Sequence, residues 1–164
     1  MRPRLHLALA SPTVRDTRGI GAVLGEALRP GDALALAGDL GAGKTTLVQG
    51  LARGLGYEGH VASPTFTLIR EYRGRLALQH VDVYRLERIQ DVVDLGLDDD
   101  PDAVVVVEWG DAVEGLLPAD HLTVELRVGP EDARRIDLSA DAGGSWGPRW
   151  DALRTALGPW AVPS

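Results

Sequence analysis

The stretch GDLGAGKTT, residues 38–46, constrains this chain more than any other. Gly38-x-x-x-x-Gly43-Lys44-Thr45 matches the phosphate-binding loop pattern. The apolar run DALALAG (32–38) enters it, and KTTLVQGLARGLG leaves it with helical spacing that ends near Gly56. This is the strand–loop–helix setting that the pattern requires. Backbone N–H groups must converge on phosphate oxygens, and side chains would block their approach, hence Gly38, Gly41 and Gly43. With Asp39, Leu40 and Ala42 these glycines form the expected nucleotide cradle, and the helix that follows adds its N-terminal partial charge.

Lys44 is the one lysine in a chain with sixteen arginines. That bias, with no asparagine at all, has the look of genome composition, so the retained lysine points to a chemical demand. The position needs a thin, compact point charge that reaches the β- and γ-phosphates. A guanidinium is planar, wider and built for bidentate pairing. The Thr45 hydroxyl is the expected Mg²⁺ ligand, and Thr46 is placed to reach the α-phosphate.

Such a loop needs acidic residues for the metal and for the attacking water. AVVVVEW (103–109) reads as a buried strand, because four successive valines leave it no polar face. Glu108 stands at its end, where an acid of this kind belongs. Asp is the usual residue there; the longer Glu could hold Mg²⁺ through water or orient the nucleophile. In RLALQHVDVYRL (75–86), alternation places Leu76, Leu78, His80, Asp82 and Tyr84 on one face. Asp82 is the best second acid, and His80 reads equally as a structural or a catalytic histidine. SPTFTL (63–68) offers Ser63, Thr65 and Thr67 either as a switch-like loop sensing the γ-phosphate or as a plain turn. DDDPD (98–102) reads as a solvated loop, and no histidine has zinc spacing.

The remaining chain frames these motifs. LHLALA (5–10) alternates as a first strand rather than opening a secretory leader. Thr13 with Asp16 resembles a capping box, and Val14, Thr17, Gly21, Leu24 and Leu28 follow on one helical face until Pro30-Gly31. VASPTFTLIREY (61–72) and RLALQHVDVYRL predict one hairpin about Arg73-Gly74; HLTVELRV (121–128) and RRIDLSA (134–140) predict a second. ERIQDVVDLGL (87–97) reads as helical. GPRWDALRTALG (147–158) is a last amphipathic helix, with Trp150, Leu153, Leu157 and Trp160 near one core-facing stripe. The expected fold is α/β: a P-loop NTPase-like three-layer sandwich about a central mixed β-sheet, in a single domain spanning 1–164.

Charge and composition narrow the function. The net charge of −7 argues against direct binding of nucleic acid, although a local basic patch around Arg134 and Arg135 remains open. With no cysteine there are neither disulfides nor thiolate metal sites, and no apolar run approaches the ~20 residues of a membrane helix. The expected location is the cytoplasm. A GTPase is disfavoured, since the base-reading N-K-x-D motif needs an Asn and a second Lys; ATP is the default nucleotide.

GDLGAGKTTLVQGLARGLG, VASPTFTLIREY, HVDVYRLE and VVVVEWGD, in this order, resemble the TsaE (YjeE) family over about residues 9–140. That family is the P-loop ATPase of bacterial tRNA threonylcarbamoyladenosine (t6A) synthesis. The resemblance implies an accessory ATPase whose hydrolysis supports turnover of a TsaD–TsaB partner complex, with tRNA contacted mainly through those partners. It assigns Lys44 and Thr45 to the ATP site, Asp82 and Glu108 to the Mg²⁺ and catalytic site, and Thr65 to the switch-like loop. Two other readings of the cradle stand beside it: a small-molecule kinase, for which no arginine-rich lid is evident, and a nucleotide-gated binding module without useful catalysis. Arg85 is a candidate activating arginine.

Overall fold

The computed structural model describes residues 3–39, 41–62, 69–82, 100–108 and 117–163. Seven strands form one mixed sheet: β1 (Arg4–Ser11), β2 (Ala33–Gly38), β3 (Ile69–Arg73), β4 (Ala77–Asp82), β5 (Val104–Glu108), β6 (Leu122–Val128) and β7 (Arg134–Asp141). Their order across the sheet is β1-β7-β6-β2-β5-β4-β3. β2 runs parallel to both neighbours, β6 and β5, and β4 runs parallel to β5. The two hairpins supply the antiparallel pairs β3–β4 and β6–β7, and β1 closes antiparallel on β7. This is the α/β architecture expected, with the predicted loop strand and Glu108 strand at its parallel centre.

Register aligns one continuous apolar face. Leu7 pairs Leu138, which pairs Val124, which pairs Leu36; Leu34 then pairs Val106. These side chains are buried with Ile20 and Leu24 of α1 (Val14–Ala27) and Leu47, Val48 and Leu51 of α2 (Lys44–Gly54). At roughly 25 cal/mol per Å² of apolar area, this shared core is the main force seating α2 on the sheet.

Both helices are set by local chemistry. Thr13 caps α1, its hydroxyl accepting from the Asp16 N–H at 3.1 Å. The helix gives way to extended backbone at Leu28, two residues before Pro30, whose ring disfavours helical geometry in the residue ahead of it. α1 and α2 meet along a seam of four glycines. A Cβ on Gly21 or Gly25 would strike the carbonyls of Leu47 or Leu51, and one on Gly50 or Gly54 those of Arg18 or Ala22. The i,i+4 spacing of each pair puts both members on the facing side, so the backbones touch.

The tryptophan-rich tail packs rather than projects. Trp146, Trp150, Leu153 and Leu157 are buried, the last three on or beside α3 (Trp150–Ala156). Arg149 stacks on Trp146 at 3.7 Å and pairs with Asp32 at 2.7 Å, while also donating to the Ala27 carbonyl at the end of α1. After a 3₁₀ turn (Gly158–Trp160), Trp160 donates to Asp16 at 3.0 Å, Ala161 bridges Leu9, and Val162 donates to the Ala8 carbonyl. None of the described helices is long and apolar enough to cross a membrane.

Candidate nucleotide site

The site lies at the carboxyl ends of the parallel strands, where open α/β sheets place their ligands. β2 ends at Gly38, next to Leu126 of β6. A Cβ on Gly38 would lie 2.9 Å from the Leu126 carbonyl, so the loop leaves the sheet too close to β6 for any side chain. The Ala42 N–H turns back to the Asp39 carbonyl at 3.0 Å. Gly43 then takes φ +99°, a left-handed conformation that glycine adopts at little cost, and α2 begins at Lys44. The expected cradle residues Gly38, Asp39, Gly41, Ala42, Gly43, Lys44, Thr45 and Thr46 therefore form one loop and the first turn of one helix. The helix points its N-terminus, with its partial positive charge, at the loop. Leu40 lies outside the described residues.

Lys44 is buried, with its ammonium donating to the Gly38 carbonyl at 2.8 Å. Burial pulls its pKa below the ordinary lysine value, and the negative fields of Glu108, Asp82 and Asp39 pull it back up. The same fields place both predicted acids within electrostatic reach of the lysine. Asp82 and Glu108 are direct register partners on β4 and β5. Side chains two residues apart share a face, so His80, Asp82, Val106 and Glu108 all stand on the face that packs against α1 and α2.

His80 meets Glu108 in the interior. It is fully buried, and its Nε2 lies 2.9 Å from Glu108 Oε1, itself almost fully buried. A carboxylate can only accept, so Nε2 carries the proton and donates. His80 Nδ1 is without a hydrogen-bond partner among the described residues. The contact fixes one oxygen of Glu108.

The donor set suits magnesium. Thr45, Asp82 and Glu108 offer oxygen atoms only, and Mg²⁺ takes one or two carboxylates plus phosphate and water rather than a complete protein cage. No group of three or more His, Asp or Glu side chains that could hold a metal occurs among the described residues. The switch-like residues Ser63 and Thr65, the helix expected at 87–97, and Arg85 lie outside the described residues.

One contributor was not legible as such. Arg134, the first residue of β7, reaches the loop: Nε donates to the Ala42 carbonyl and Nη2 to the Gly41 carbonyl, both at 3.1 Å. Arg135 is 3.4 Å from Asp137. Of the two arginines considered as a basic patch, Arg134 is turned onto backbone carbonyls and Arg135 faces a carboxylate.

Comparison with known proteins places these residues in a family. The family model described as "Threonylcarbamoyl adenosine biosynthesis protein TsaE" matches residues 11–136. The chain is 43% identical over 131 residues to a tRNA threonylcarbamoyladenosine biosynthesis protein TsaE of Treponema pallidum, covering 79% of this chain and 97% of that one. It is 44% identical over 128 residues to the TsaE of Bacillus subtilis, covering 76% and 80%. It is 46% identical over 135 residues to that of Mycobacterium tuberculosis, covering 75% and 80%. The crystal structure of Bacillus subtilis YdiB superposes with a TM-score of 0.77 at 34% identity, covering 97% of this chain and 98% of that chain.

Proposed function

Because the chain belongs to the TsaE family of threonylcarbamoyl adenosine biosynthesis proteins, we propose that it is an Mg²⁺-dependent ATPase. In this reading it binds and hydrolyses ATP to support repeated turnover of a TsaD–TsaB complex that modifies tRNA. The observation that carries the proposal is the convergence of Lys44, Asp82 and Glu108 beside a glycine loop, at the ends of three adjacent parallel strands.

The roles follow from position. Loop N–H groups and the α2 N-terminus bind the phosphates. Lys44 exchanges the Gly38 carbonyl for β- and γ-phosphate oxygens, which offset the burial that disfavours its charge. Thr45, Asp82 and Glu108 would be the protein oxygens to hold a magnesium ion bound with ATP, which would supply neutralisation of phosphate charge. Glu108, pinned through one oxygen by His80, orients water with the other. The water oxygen bonds to the γ-phosphorus as the β–γ bridging bond breaks, ADP leaves with the bridging oxygen, and the water's proton passes toward the carboxylate. The protein's part is positioning and electrostatics, the usual division of labour in phosphoryl transfer.

The protein's own charge of −7 fits a component that leaves tRNA to its partners, and the cytoplasm is the setting this role requires. Single-turnover hydrolysis of ATP by the purified chain, with and without TsaD–TsaB and tRNA, tests the proposal. Slow hydrolysis alone that rises with the partners is the expected result. Tight ATP binding with no hydrolysis in either state would replace the ATPase with a nucleotide-gated binding module.

A further inference from the structure

The guanidinium of Arg134 joins two separate pieces of backbone. Besides the Gly41 and Ala42 carbonyls, its Nη1 donates to the carbonyls of Glu131 at 2.9 Å and Ala133 at 2.7 Å. One side chain thus ties the glycine loop to the turn between β6 and β7. The sheet register makes this reach possible. Gly38, the end of β2, pairs Leu126, whereas the hairpin continues two residues further to the Val128–Arg134 pair. The hairpin therefore overhangs the loop.

The turn is shaped to receive the arginine. Glu131 takes φ +52°, the one non-glycine residue with positive φ among the described residues. A non-glycine residue in this conformation carries strain that its surroundings must offset. The Glu131 carbonyl accepts from Arg134, and the turn is closed by Ala133 donating to Pro130 and Gly129 donating to Ala133.

The effect on the loop follows from peptide geometry. In a planar trans peptide the C=O and N–H point in opposite directions. Holding the Ala42 carbonyl on Arg134 aims the Gly43 N–H away from the arginine, and holding the Gly41 carbonyl fixes the preceding peptide plane, whose Ala42 N–H closes onto the Asp39 carbonyl. A phosphate cradle needs its N–H groups converging before the anion arrives, because reorienting them on binding subtracts from affinity. We propose that Arg134 is a positioning residue of the nucleotide site: it grips the outward carbonyls of the loop so that the Gly43 amide is held facing the phosphates. This rests on the reading that the loop binds ATP. The role needs the arginine fork, since a lysine ammonium is a single point that cannot span two consecutive carbonyls in fixed geometry.

The experiment compares wild type, R134K, R134A and K44A by calorimetric titration with Mg·ADP and a non-hydrolysable ATP analogue, and by steady-state hydrolysis. Circular dichroism and thermal unfolding check each fold. R134K keeps charge and bulk, so its folding is the least disturbed. Loss of charge-assisted hydrogen bonds predicts affinity about tenfold to a hundredfold weaker in R134K and R134A. KM should rise by a similar factor and kcat change less, and added guanidinium ion should restore part of the affinity of R134A. Wild-type affinity in R134K overturns the proposal, as does an R134A defect that guanidinium does not relieve. Failure of the wild type itself to bind nucleotide would overturn the ATP site and this inference together; wild-type binding abolished in K44A but intact in R134K would overturn this inference alone.

Discussion

The two halves of the sheet solve different problems. In the antiparallel wing, β6 and β7 alternate: Leu122, Val124, Leu126, Ile136 and Leu138 are buried, and Arg127, Arg135 and Asp137 stand on the other face. In the parallel centre there is no wet face. Val104, Val106 and Val107 are buried, as are Leu34, Ala35 and Leu36, and even Gln79 and His80 on β4 are shielded from water. A polar group in the wing needs no special reason, because water serves it. A polar group in the centre must be paired or must act, because burial without a partner is costly. The centre has few such groups, and His80, Asp82 and Glu108 collect on one face at one end, beside Lys44.

That contrast can be broken by substitution. The largest effect is expected at Lys44: K44A should lose most nucleotide binding, and unchanged affinity by calorimetry would remove the loop from the site. Glu108 comes next. E108A should bind Mg·ATP within a few-fold of wild type yet hydrolyse it at least about a hundredfold more slowly in single turnover. The contrast itself is sharpened by pairing a centre variant with a wing variant. H80A leaves the buried Glu108 without its donor and should cost about 1–3 kcal/mol in denaturant unfolding. D137N weakens contacts with the exposed His6 and Arg135 side chains on the outer face and should change stability by less than about 0.5 kcal/mol. Equal costs would mean that burial does not separate the two halves.

The smallest effect concerns pH. Hydrogen bonds from Thr13 and Trp160 hold the Asp16 carboxyl below its ordinary pKa. A folded value below the unfolded one stabilises the protein above the ordinary aspartate value of about 3.9, and the contribution is lost as pH falls through the folded value. Wild type should therefore unfold at a higher temperature than D16A at neutral pH, with the gap narrowing on acidification below pH 4. A constant gap would show that the carboxylate charge plays no part.

How much was legible depended on whether the cause is local. The cradle could be read because phosphate binding dictates residue types at fixed spacing, and Lys44 stands out against sixteen arginines. The two hairpins could be read from alternation, and Asp82 and Glu108 from their places at strand ends. Their direct pairing could not be, since it depends on the register of β4 against β5. The meeting of His80 with Glu108 is hidden for the same reason, which left a structural and a catalytic histidine equally open. Arg134 was harder still. Nothing near it in sequence announces a contact with carbonyls more than ninety residues earlier, because the contact exists only once β6 and β7 overshoot β2. The glycine seam of α1 and α2 had a local trace, pairs four residues apart on each helix, but facing them across two helices required the packing.

The tail's short contact with β1 has a consequence for how copies of this chain meet. An edge strand offers unpaired backbone groups to any other strand that arrives. Here Ala161 and Val162 occupy the middle of that edge, at Leu9 and Ala8, and Trp160 anchors them to Asp16. These two residues cover that part of the edge, so an arriving strand would have to displace them to pair there.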